Sequence, residues 1–184
     1  MIAEIEDAII STLKNATGLE YLKTVASYGG QLDEDLGEVV RAYPAVWVVF
    51  AGSAKPEKLG ANKWKVPATF AVIVAARNVR NEAATRKGDA KEVGTYQMLT
   101  HVQTMLANND FGLAIERLQP GVVRTLYNTK VRNDALSVFS QEWTTAYVLK
   151  AADEAATELL SLGINYYIKP GDNVADLTQN LVLT

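Results

Sequence analysis

The sequence contains no cysteine and a single histidine. The first absence removes disulfides, thiolate metal sites and a cysteine nucleophile, and it suits a reducing compartment. Together the two rule out a zinc site assembled from several imidazoles or thiolates. Long apolar runs are also missing. The longest, Ala45 to Ala51, falls far short of the ~20 residues that a helix needs to cross a bilayer. The opening MIAEIEDAII interleaves acids with isoleucines, whereas a secretory signal has a basic segment followed by an unbroken apolar run. A soluble protein with no membrane partner is expected. There is no basic excess either: the formal charge is −3, where a nucleic-acid binder usually carries cations to neutralise phosphates. Neither GxxxxGK(S/T) nor GxGxxG occurs, and Gly29-Gly30 is not followed by the lysine and hydroxyl of a phosphate loop. The nucleophile-elbow pattern GxSxG is absent as well.

What is present is an ordinary globular composition. Hydrophobic residues make up 48% and charged residues 21% of 184 positions, enough for one domain with its own core. A chain of this size buries roughly 70% of the surface its unfolded form exposes. No internal repeat or low-complexity tract is evident.

Ile2, Ile5, Ile9 and Leu13 recur at helical steps. Glu4, Glu6 and Asp7 near the start and Lys14 near the end suit the helix dipole, and Gly18 is placed to close the helix in a left-handed conformation. Tyr21 to Ser27 reads as a short strand broken by Gly29-Gly30. Asp33 to Arg41 reads as a short acidic helix ended by Tyr43-Pro44, since a residue before proline avoids helical angles. Ala45 to Ala51 is apolar at both parities, the pattern of a strand covered on both faces. Ser53 to Asn62 reads as a turn or hairpin loop, and Trp64 to Arg77 as a second long strand. Pro67 there must lie at a bulge or an edge, because it cannot donate to a ladder. A charged, alanine-rich connection runs from Asn78 to Lys91. Val93 to Asn108 returns to helical periodicity and is stopped by Asn108-Asn109-Asp110 and Gly112. Val122 to Asn128 and Leu136 to Leu149 read as two further strands. In the second, Phe139, Gln141, Trp143, Thr145, Tyr147 and Leu149 share one buried face.

The order of elements predicts an α+β fold with a mostly antiparallel sheet of about four to five strands flanked by helices. Residues 1–150 form this domain. Residues 151–184 read as a C-terminal extension with a helical patch at Ala155 to Leu162, an apolar stretch at Ile164 to Ile168 and alternation from Leu177 onward. Such an extension can close its own domain or act as an arm between subunits.

Candidates for chemistry are few. His101 falls inside a helix near Met98 and Met105, where packing explains it better than catalysis, which needs a partner at hydrogen-bond range. Asp33, Glu34, Asp35 and Glu38 offer oxygen ligands for a cation, yet their spacing is not that of a calcium loop, and an acidic helix start explains them more simply. Lys55, Lys58 and Lys63 decorate one loop. Arg77, Arg80, Arg86, Lys87 and Lys91 decorate another, partly offset by Glu82, Asp89 and Glu92. Solvation of exposed loops explains these charges. The sharper alternative is that repetition around a ring makes them a basic collar facing DNA or a partner protein. Catalytic residues, cofactor and metal are all expected to be none.

Four stretches carry a resemblance: MIAEIEDAII at the start, TVASYGGQLDED, YPAVWVVFAG and QEWTTAYVL. They resemble the Mu-like phage and prophage family typified by the thirty-seventh gene product of phage Mu, regarded as a tail terminator, over most of residues 1 to about 150. The resemblance implies a non-enzymatic virion protein at the head-proximal end of the tail, assembled in the host cytoplasm. It implies a ring, commonly a hexamer, that ends tail-tube growth. Its partners would be copies of itself, the tail tube protein, the head-tail connector or neck protein and, in a contractile tail, the sheath. Packaged DNA would pass through the ring lumen. The competing expectations are another ring-forming virion component, such as a neck or tube protein, and a small α+β ligand-binding domain or enzyme.

Overall fold

The structure is a computed structural model that describes residues 1–30, 43–78, 86–87, 93–131, 134–152, 161–166 and 177–182. The expected helix over residues 33–41 with its acidic cluster lies outside the described residues, as do Arg80 and Lys91. Two compact units divide the chain, Met1–Lys150 and Ala151–Thr184.

The first unit opens with helix α1 (Ile2–Asn15), which buries Ile5, Ile9 and Leu13, the stripe its periodicity marks. Gly18 does not cap it. The helix ends where Ala16 turns extended, and Gly18 takes its positive φ of 91° in the turn beyond, where its N–H donates to the Glu20 carboxylate at 2.9 Å. Strand β1 (Thr24–Ser27) follows and pairs in parallel with β2 (Ala45–Gly52). Next come β3 (Glu57–Gly60), β4 (Lys63–Asn78), helix α2 (Thr95–Leu106), β5 (Gln119–Val131) and β6 (Asp134–Lys150).

All six strands join one sheet in the order β1-β2-β4-β6-β5, with β3 added beside β4. Every pairing other than β1 with β2 is antiparallel, so the sheet is mixed but mostly antiparallel and the fold is α+β. The strand beyond the expected five is β3, which sequence reading leaves as loop. All its residues are exposed, so it carries no apolar alternation, and its pairing with β4 across Ala61-Asn62 makes it a strand.

The spine of the sheet is the β4–β6 ladder, unbroken from Lys63 opposite Lys150 to Asn78 opposite Ala135. Pro67 belongs to β4 without disturbing that ladder. On its other side β2 ends its pairing at Thr69 and β3 begins at Lys65, so the missing N–H falls in a local edge. There the Ser53 hydroxyl donates to the Pro67 carbonyl at 2.5 Å.

One face of the sheet carries α1 against β1 and β2, and α2 against β4 and β6. Val46, Val48, Phe70, Val72, Val74, Phe139 and Trp143 fill the space beneath the helices. Each large side chain so buried contributes roughly 1.5–3 kcal/mol. The opposite face has a second cluster at one end only, formed by Tyr43, Ala45, Trp47, Ile73, Ala75, Leu136 and Val138. That accounts for strands apolar at both parities. The expected buried face of β6 is buried from Phe139 to Thr145, but Leu149 at its end is exposed.

Polar groups tie the layers. Thr95 and Ser137 pair their buried hydroxyls at 3.1 Å, and the Gln103 side-chain amide donates to Gln141 at 3.2 Å. After α2, Asn108 takes a positive φ of 61° and its N–H donates to the Leu118 carbonyl at 2.9 Å, fastening the loop that leads to β5.

Two tyrosines give this unit an alkaline limit. Burial pushes the Tyr43 hydroxyl pKa up to about 12, and burial does the same for Tyr21, also to about 12. The unfolded chain releases these protons first, near pH 10.0. Stability is therefore expected to be intact below about pH 10 and to fall between about pH 10 and 12. Chemical unfolding at about pH 8 and about pH 11 checks this. Tyr43→Phe should remove part of the decline, and, because the Tyr43 hydroxyl is buried with no hydrogen-bond partner among the described residues, should cost little at neutral pH. An identical decline in wild type and variant would contradict it.

The second unit, taken by itself, is an antiparallel pair, β7 (Ser161–Tyr166) and β8 (Leu177–Val182). The helical patch expected through Leu162 gives way there: Ser161 and Leu162 pair with Val182 and Leu181, as the period-two alternation of Leu162, Ile164 and Tyr166 favours. Residues 155–160 lie outside the described residues.

Candidate functional site

The basic residues singled out in the sequence do not form one group. Lys63 opens β4 and Arg77 nearly closes it, which separates them by about 45 Å at the ~3.3 Å rise of a strand. Lys55 and Lys58 lie with Lys63, in the loop before β3 and in β3 itself. Arg86 and Lys87 fall in a helical turn between β4 and α2, Arg86 half-buried and Lys87 exposed.

At the Lys63 end the sheet outruns its core. Residues 57–60 of β3, 63–65 of β4 and 148–150 of β6 form a three-stranded tongue whose residues are exposed or half-buried. The register adds two cations that sequence reading passed over. Lys63 stands directly opposite Lys150, and Lys65 stands between Glu57 and Val148. Lys65 also meets Glu116 at 2.5 Å; the Glu116 carboxylate raises its pKa, with Glu57 assisting. Like charges directly opposed across a ladder are destabilising, so the Lys63–Lys150 tip is a place where an anionic partner gains more than the isolated chain does.

Beside the tongue is an open cleft of about 420 Å³ lined by Leu59, Lys65, Ala114, Ile115, Glu116, Ala146, Tyr147 and Val148. Its two charged groups neutralise each other. The remaining wall is aliphatic apart from the half-buried Tyr147, so the cleft offers contact surface more readily than proton transfer.

His101 serves packing. Its Nδ1 and the Tyr21 hydroxyl share a hydrogen bond of 3.1 Å, with ring centroids 5.9 Å apart, which pins α2 to the segment after α1. Among the described residues it has no carboxylate partner.

The other exposed feature is β5. It is the last strand of the sheet, and Gln119 to Leu126 are all exposed, including Val122, Val123 and Leu126. Their sequence spells a strand, and period alone does not separate an edge strand from an interior one.

A surface of this kind, with no convergent catalytic group among the described residues, is met by the family comparison. The match is to a bacteriophage structural protein, a component of the virion. The chain belongs to the family described as Bacteriophage Mu, Gp37, whose model matches residues 1–148. No curated protein matches the chain.

Proposed function

We propose that this protein is a tail terminator: copies assemble into a ring, commonly of six in such proteins, at the head-proximal end of the tail. One ring face matches the last tube ring, and in a contractile tail also the sheath. The other face offers tube protein nothing to add to and binds the head-tail connector. The protein works through shape and adhesion and makes no bonds.

The family match over residues 1–148 carries this reading. Two features of the surface support it. An edge strand with exposed valines and leucine suits contact between copies, since apolar groups on an edge invite a cover. A lysine-bearing tongue projecting beyond the core suits an acidic neighbour or the DNA that passes the ring. The contact between copies is heterologous, one surface of each meeting a different surface of the next, and it closes when the rotation per subunit closes.

The test is assembly of tail tubes in the presence of the purified protein. Capped tubes that stop lengthening are the expected result. Tubes that keep growing, together with a chain that stays monomeric at high concentration, would contradict it.

A further inference from the structure

The lysines of the tongue outnumber the acids around them. Residues 53–65 and 148–150 hold five lysines and one acid, a formal +4, which Glu116 lowers to +3. Since the total is −3, the remainder of the chain carries −6. Both acids are spent on one lysine: Glu57 stands opposite Lys65, and Glu116 pairs with it. Lys55, Lys58, Lys63 and Lys150 are exposed and meet no carboxylate among the described residues. Lys63 and Lys150 face each other across the ladder, with Cβ atoms about 5 Å apart. Charges are screened beyond about 8 Å at physiological salt, so an anion near the tip feels this cluster ahead of acids elsewhere.

The residue types narrow the partner. Protein interfaces favour arginine and are depleted in lysine, because a guanidinium fork grips a carboxylate where an ammonium is a hydrated point charge. The cations of the tongue are lysine throughout. They also lie on both faces of the ribbon: Lys63, Lys65 and Lys150 on one, and Lys58, opposite Trp64, on the other. An acidic protein would cover one face, whereas the phosphates of a duplex form a continuous line of charge met from either side. The exposed Leu59, Val148 and Leu149 offer lysine stems an apolar surface while the ammonium groups stay in water. The tongue has no arginine to read a guanine edge. Its one aromatic ring, Trp64, is half-buried and not offered for stacking on an unpaired base. Contact with the backbone of a duplex, blind to sequence, is the chemistry that fits.

We propose that the tongue binds the phosphates of double-stranded DNA through Lys55, Lys58, Lys63 and Lys150, without reading sequence. This rests on the reading of a ring that DNA traverses, and it names the side chains that meet the DNA. Lysines that pair with no fixed acid hold a moving duplex loosely, as passage requires.

The test is binding of the full-length protein to a labelled duplex of random sequence, followed by fluorescence anisotropy between about 50 and 200 mM salt. The logarithm of affinity should fall against the logarithm of salt with a slope of about −2 or steeper, since each neutralised phosphate contributes about −0.9. A second duplex of unrelated sequence should bind equally. Lys63→Gln with Lys150→Gln should flatten the slope by about 2 and weaken binding about tenfold at low salt, with the melting temperature unchanged. Lys14→Gln with Lys23→Gln, two exposed lysines outside the tongue, should alter neither. No binding at low salt would overturn the proposal, as would a slope that the tongue variant leaves unchanged. Polyglutamate of equal charge that competes as well as duplex would overturn it too, and would make the partner an acidic protein. If tail tubes are capped while duplex does not bind, this contact is wrong and the terminator reading stands. If duplex binds as described while tubes keep growing, the terminator reading falls and the contact remains.

Discussion

Trp143→Ala is expected to destabilise the protein by about 3–5 kcal/mol, the range for emptying a fully buried aromatic site. Trp143 is 0% exposed and lies under the helical layer with Phe70, Val72 and Phe139. It also stands opposite Phe70 on β4 and Pro120 on β5, so its loss opens a cavity at the junction of three strands. Against a total stability of roughly 5–15 kcal/mol, such a loss shows as a large drop in denaturant midpoint. Trp143→Phe separates packing from polarity. Among the described residues the buried indole Nε1 has no hydrogen-bond partner, a state that costs about 1–3 kcal/mol. Phenylalanine removes that donor while keeping much of the volume, so it is expected to cost far less than alanine. Equal losses from the two variants, measured by chemical unfolding, would show that the site does not pack as described.

The second large effect is functional. Combined replacement of Lys55, Lys58 and Lys63 by glutamate is expected to leave folding nearly unchanged, since exposed substitutions usually stay within about 0.5 kcal/mol. Lys63→Glu alone should be neutral or slightly stabilising. It turns the like-charge opposition with Lys150 into an attractive pair worth about 0.2–1 kcal/mol. The same triple variant is expected to lower the fraction of tails joined to heads at least about tenfold, because an acidic or phosphate-bearing partner would then meet like charge. Stability and function are thus expected to respond separately to charge reversal in the tongue. Normal assembly and particle function after reversal would assign the tongue lysines to solvation alone.

Most of the fold is legible in the sequence because its signals are strong and local. The isoleucine stripe of α1, the doubly apolar β2 and the long β4 and β6 each follow from one period. The placing of Pro67 at a local edge follows from its missing N–H. What was not legible depends on partners in space. Strand β3 has four exposed residues and exists through its pairing with β4. The end of α1 is set by Ala16, and Gly18 serves the next turn. Lys65 and Lys150 join the basic tongue only through register, and Arg77, grouped with the other cations by sequence proximity to Arg86 and Lys87, sits at the far end of β4. The exposed edge of β5 was hidden for a related reason: valine and leucine spell a strand wherever it lies, and only the sheet order reveals that it is the last strand of the sheet among the described residues.

The most direct measurement is electron microscopy of particles containing this chain under a specific label, read for position and symmetry. A single ring at the head-proximal end of the tail is the expected result. Label repeated along the tube, or absent from the tail, would contradict it.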